Sequence, residues 1–417
     1  MRPAADPPRF NQGERGTRFL LYPQSRAVRG FEMPRLVRVP ARPGTIGAGP
    51  EDRRMYVVDA IRKTPYRDTS TGEYIWHPPY PRSKARELPV RPSPSGEFDY
   101  LKPGTRPFSA AAVYASVRCA LEVWEHYLGR RIPLVRGSKQ RKFEIIPRVT
   151  AIGDNAWSGE WYIELGFARR NPRQPYCENL DVVAHEVGHI ILKRVIGPAP
   201  TGRLEFERRA HDEAGADLVS LVSILHFDRV VTAVLERTRG KLFSVNILSQ
   251  IGEYRLGRSG RRRAGRLMFQ NATMRTVAGA GRRGDKFTYA RPLLGAAFDI
   301  LVEIYEARLV QRGLISQELA DRSTHATARG HPAIRRGFAA RFKQNPDGFA
   351  EALRDATADF ARLLALAWKK ARRTGVTFSR VASNIAAADA RLNRGRYGPI
   401  IRRAFAKRRI AVRVGRR

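Results

Sequence analysis

Cysteine is nearly missing from this chain: Cys119 and Cys177 are the only two in 417 residues. That count excludes a disulfide-built scaffold and a cysteine-based zinc site, and leaves open only a single bridge between the two. Long apolar runs are absent as well. No stretch reaches transmembrane length, and the opening Met1-Arg-Pro-Ala-Ala-Asp-Pro-Pro8 lacks the apolar core of a secretory signal. The expectation is a cytoplasmic protein, or an exported one if its true start is missing. Acidic residues are scarce: 39 Asp and Glu stand against 77 Lys and Arg, a net charge of +38. Arg255–Arg283 holds nine arginines and Arg402–Arg417 eight basic residues, with no acid in either. Such charge favours nucleic acids, acidic proteins or anionic surfaces. No aromatic-interleaved RNA motif or zinc-finger spacing accompanies it, so solvated surface charge is the preferred reading.

Histidine is also rare, with eight in all, yet two of them fall in His185-Glu186-Val187-Gly188-His189 within the apolar run Leu180–Leu192. Residues four apart share one helix face, so the imidazoles can converge on one metal ion. Two neutral imidazoles suit Zn²⁺, and the carboxylate between them can take a proton from water. The plain alternative is a pair of core histidines. A catalytic zinc site needs a third protein ligand, and His211-Asp-Glu-Ala-Gly-Ala-Asp217 opens a second apolar-periodic segment. Glu213, set among alanines and glycine, would be a costly core residue unless it met a cation. Asp217, one turn on, is placed to hold a ligand histidine through its second nitrogen. The predicted ligands are His185, His189 and Glu213.

Asn179-Leu-Asp-Val-Val-Ala-His-Glu-Val-Gly-His189 followed by Glu-x-x-x-Asp resembles the thermolysin-like (gluzincin) zinc metalloproteases, over about residues 145–225 and weakly beyond. Asn155-Ala156-Trp157, ahead of Trp161–Phe167, extends the likeness. The resemblance implies a two-lobed α+β zincin, with a mixed β/α first lobe, a mainly helical second lobe and the zinc helix between them. It implies Glu186 as general base, Asp217 as orienter, and Asn155 and Ala156 as contacts to the substrate backbone. The family also carries a second-lobe histidine that stabilises the oxyanion. Here the best alignment puts Phe287 in that place, and phenylalanine cannot donate a hydrogen bond. Tyr289, Arg291 or His211 could substitute, since phenol, guanidinium and imidazole each stabilise negative charge.

Along the chain, residues 1–54 read as a mobile basic, proline-rich tail. Residues 55–195 read as the mixed lobe ending in the zinc helix, 196–396 as the helical lobe, and 397–417 as a basic tail. Met55–Ala60 and Phe143–Val149 are predicted strands. Trp161–Phe167 alternates like a half-buried edge strand that a peptide could extend. Ser109 is the predicted cap of a helix with its apolar stripe at Val113, Val117, Leu121, Trp124 and Leu128, ending at Gly129. Residues 255–283 read as a basic loop with a short helix over Leu267–Thr276, able to favour acidic substrates if folded over the cleft. Asn345–Gly348 reads as a turn before an apolar helix.

The expected function is zinc-dependent peptide hydrolysis. Two alternatives stand beside it: a zinc-retaining scaffold without catalysis, motivated by Phe287, and an arginine-rich nucleic-acid-associated protein.

Overall fold

The computed structural model describes residues 7–10, 15–68, 71–135, 141–168, 173–198, 206–256, 262–283, 285–324 and 331–413. Helix accounts for 49% of the molecule and strand for 10%, so the chain is mixed α+β with helix dominant. Among the described residues no single helix is long and apolar enough to cross a membrane. Cys119 and Cys177 are both free and buried.

The described residues up to 54 do not form a tail. Strand β1 (Thr17–Leu21) pairs antiparallel with β2 (Arg35–Val39), and Phe19, Leu21, Val37 and Val39 are wholly buried. Two five-residue alternations are enough to bury one face of a hairpin, and the surrounding Pro, Gly and Arg masked them in the sequence. Arg18 fastens the hairpin to Asp99 (2.7 Å), and the Tyr22 carbonyl accepts from Leu180 N at 3.3 Å. Residues 1–6 and 11–14 lie outside the described residues.

The main sheet holds β3 (Met55–Val57), β4 (Phe143–Ile146), β5 (Ala156–Ser158) and β6 (Tyr162–Leu165), in the order β3-β4-β6-β5. Its first three members run parallel, and β5 joins antiparallel to β6. Here the expected edge strand is corrected. β6 is internal and buried throughout, because a strand within a parallel sheet is covered on both faces. Glu164 is buried and accepts from Trp157 Nε1 (2.7 Å), Tyr66 N and the Lys63 ammonium. The sheet margin next to the site is β5.

Helix α1 (Arg106–Leu128) connects β3 to β4. Thr105 caps it, not Ser109: the Thr105 hydroxyl accepts from Phe108 N, and Pro107 suits the first turn. Ser109 sits inside the helix and donates to Glu178 (2.6 Å). Gly129 ends it at φ 63°, as expected. The predicted stripe is buried, but so are most other faces, since α1 packs against β1 and three helices at once.

The second half is helical: α2 (Leu180–Val195), α3 (Phe206–Ile224), α4 (Asp228–Thr238), α5 (Ala278–Arg282), α6 (Lys286–Gln311), α7 (Gln317–Thr324), α8 (Pro332–Gln344), α9 (Pro346–Lys370), α10 (Phe378–Leu392) and α11 (Gly398–Lys407). Asn345 is the cap of α9, with Oδ1 accepting from Gly348 N (2.8 Å), so the expected turn is a helix start. Trp124 and Trp368, 4.9 Å apart, join α1 to α9. Within the predicted C-terminal tail, Gly398–Lys407 is α11, docked on α6 and α10 with Ile401, Ala404 and Phe405 buried, and residues 414–417 lie outside the described residues. The expected helix over Leu267–Thr276 is absent. β7 (Gln250–Leu256) and β8 (Arg262–Leu267) form a hairpin, and β7 runs beside α2 and α3.

Part of the arginine excess is structural. Arg408 pairs with Asp299 in the interior (3.0 Å), Arg118 with Asp52 (2.8 Å), and Arg354 with Asp228 (2.7 Å). The Arg408–Asp299 pair ties the C-terminal segment to α6, and breaking a buried ion pair is costly.

His226, at the end of α3, lies within 2.8 Å of the Val222 carbonyl through Nδ1 and 2.9 Å of the Tyr127 hydroxyl through Nε2. Burial, and then the nearby His126 and Arg9, lower its pKa from 6.5 to about 4. The folded ring therefore resists a proton that the unfolded chain accepts. Its contribution is complete above pH 6.5, falls as pH drops from 6.5 to about 4, and changes no further below that. The loss should reach up to about 3 kcal/mol. Urea unfolding of wild type and His226→Gln at pH 7.5 and 4.5 checks this. The stability difference between them should shrink in acid, and an unchanged difference would contradict it.

Candidate metal centre

Gly188 lets α2 and α3 cross closely enough to build a site, and Gly215 leaves room for the Leu192 side chain between them. A methyl group on Gly188 would lie 2.7 Å from Ala216 Cα, and one on Gly215 would lie 2.7 Å from Leu192 Cδ1. With those methyls absent, the His185/His189 face of α2 meets the Glu213/Asp217 face of α3. Asp181 in the first turn and Lys193 and Arg194 in the last suit the dipole of α2.

At the crossing, His185 Nε2 and His189 Nε2 are 3.2 Å apart, and Glu213 Oε2 lies 3.7 Å and 3.9 Å from them. Donors about 2.0–2.1 Å from a tetrahedral ion would be separated by roughly 3.4 Å, close to each side of this triangle. Asp217, fully buried, places Oδ1 2.8 Å from His185 Nδ1. A carboxylate accepts, so Nδ1 carries the proton and Nε2 presents its lone pair to the centre. Burial lowers the His189 pKa well below the usual value, which keeps that ring neutral too. Two nitrogen lone pairs and a carboxylate oxygen, converging within 4.8 Å and largely buried, make a donor set that fits a divalent cation. Glu186 follows His185 on α2 and is 4% exposed.

The other predicted residues fare differently. Asn155 immediately precedes β5; its Oδ1 accepts from Ala156 N (2.9 Å) and its carbonyl from Gly166 N (2.9 Å). This fixes the corner from which Ala156 enters the edge strand. His211 lies with Nδ1 3.3 Å from Arg208, and burial lowers its pKa to about 3. Tyr289 packs between Phe206 (5.1 Å) and Phe378 (5.7 Å), and Arg291 is exposed, its carbonyl accepting from Gln270. Phe287 is 48% exposed at the start of α6.

Two lysines were not foreseen. Lys193, two turns beyond His185, reaches the Ser158 carbonyl (3.4 Å) and ties the edge strand to α2. Lys286, the first residue of α6, sets its ammonium 2.7 Å from Glu213 Oε1. Its only sequence signal is the preceding Asp285, whose side chain caps α6 through Thr288 N (3.0 Å). Comparison with models of known protein families and with curated proteins finds no match for this chain.

Proposed function

We propose that this chain is a zinc-dependent metallopeptidase of thermolysin-like, two-lobed design, with His185, His189 and Glu213 holding the metal. The observation that carries the proposal is the triangle of donor atoms, with Asp217 fixing the tautomer of one imidazole. Zinc, when bound, supplies a Lewis acid that acidifies water and polarises the scissile carbonyl. Glu186 accepts the proton of the attacking water and passes it to the departing amine. The margin of β5 offers backbone groups on which a peptide can lie as an added strand, entering past Asn155 and Ala156. The basic surface favours acidic peptides over basic ones.

A second reading, a zinc-retaining scaffold without turnover, is favoured by Phe287, which offers no hydrogen bond where the resemblance expects one. Zinc titration joined to a peptide-cleavage assay separates the two. The purified chain should take up about one zinc per molecule and hydrolyse peptide, and His189→Ala should lose tight binding. Undiminished zinc affinity in His189→Ala would refute the ligand set. Stoichiometric zinc without hydrolysis would favour the scaffold.

A further inference from the structure

The two carboxylate oxygens of Glu213 face different groups. Oε2 faces both imidazoles, while Oε1 meets the Lys286 ammonium at 2.7 Å. The Glu213 side chain is 6% exposed and that of Lys286 41%, so the cation enters from the solvent side onto an otherwise enclosed acid. Its placement runs against helix electrostatics. Lys286 occupies the positive end of α6, where an anion is favoured, and no acidic residue shares that first turn. The attraction to Glu213 offsets this unfavourable position, and the Asp285 cap holds the turn in place. The site is therefore closed by a residue from the helical half, far along the chain from the ligands.

Resting on the metal reading above, we propose that Lys286 is a positioning residue that confines Glu213 to one-oxygen ligation and weakens its donation to the metal. An ammonium on Oε1 withdraws charge from the carboxylate and repels a dication nearby. Both effects loosen binding. They also leave the metal a stronger Lewis acid than an unshared carboxylate would allow. Glu213 is already fixed by its buried helix, so lost positioning is the smaller effect when the lysine is removed.

The test uses Lys286→Met, which keeps the stem and removes the charge, and Lys286→Arg, which keeps the charge. Zinc affinity is measured by competition with a chromogenic chelator, and thermal melting of each variant confirms folding. Lys286→Met should bind zinc about tenfold more tightly, equivalent to about 1.4 kcal/mol, while kcat falls and KM holds. Lys286→Arg should stay within about threefold of wild type. The visible spectrum of the cobalt(II)-loaded protein should shift in Lys286→Met toward higher coordination as Oε1 becomes available, and should stay put in Lys286→Arg. Unchanged or weakened zinc affinity in Lys286→Met, or an arginine variant that behaves like methionine, overturns the proposal while leaving the ligand set standing. A wild-type chain that takes up no zinc removes both.

Discussion

Glu186→Gln should lower kcat/KM for peptide cleavage by about 10²–10⁴ while zinc content stays at the wild-type level. In barrier height this is about 3–5 kcal/mol. The amide matches the carboxylate in size and can still accept a hydrogen bond from water, but it cannot take a proton at neutral pH. Glu186 is not one of the three convergent donors, so the His185, His189 and Glu213 geometry should survive the change. Rates from stopped peptide hydrolysis, normalised to zinc per chain, provide the measurement. Cleavage within a few-fold of wild type would remove Glu186 from the reaction, and loss of zinc would mean that the variant had disturbed the site itself.

Gly188→Ala should be the most damaging small substitution near the centre. In an ordinary helix the change gains about 1 kcal/mol from propensity. Here the new methyl meets Ala216 Cα at 2.7 Å, Val219 Cβ at 3.0 Å and the Ala216 carbonyl at 3.1 Å. Two of those three atoms are backbone and cannot turn aside, so the helices must separate, at about 1–3 kcal/mol. Even a few tenths of an ångström moves Glu213 and Asp217 away from the imidazoles, and zinc affinity should fall about 10–100-fold. Gly215→Ala provides the internal control. The three atoms nearest its methyl all belong to the flexible Leu192 side chain, so stability and zinc affinity should change far less. Urea midpoints with chelator competition decide the matter, and equal behaviour of the two variants would contradict the close-crossing argument.

The convergence of His185, His189 and Glu213 was legible because the helical period places His185 above His189, and an acid followed by small residues marks Glu213. The stripe of α1 and its stop at Gly129 could be read for the same reason. Other features could not be read, because they depend on what packs against what. Nothing local distinguishes the hairpin of Thr17–Leu21 and Arg35–Val39 from a proline-rich tail until α1 covers it. Strand β6 alternates like an edge, yet Glu164 lies inside, held by Lys63, a residue distant in sequence. The sequence reading singled out Phe287 and missed the preceding Lys286, whose ammonium meets Glu213.

The contact between Leu180 N and the Tyr22 carbonyl has a bearing on how the polypeptide is made. The first amide of the metal helix is satisfied by a segment that leaves the ribosome long before that helix exists. The early hairpin must wait, its apolar face bare, until much of the molecule has emerged, and β3 must wait likewise for β4. Such distant pairings slow assembly and leave sticky intermediates. The same dependence runs in reverse: trimming the first forty or so residues would strip the opening turn of the metal helix, so a shortened version should fail to hold zinc although every ligand remains.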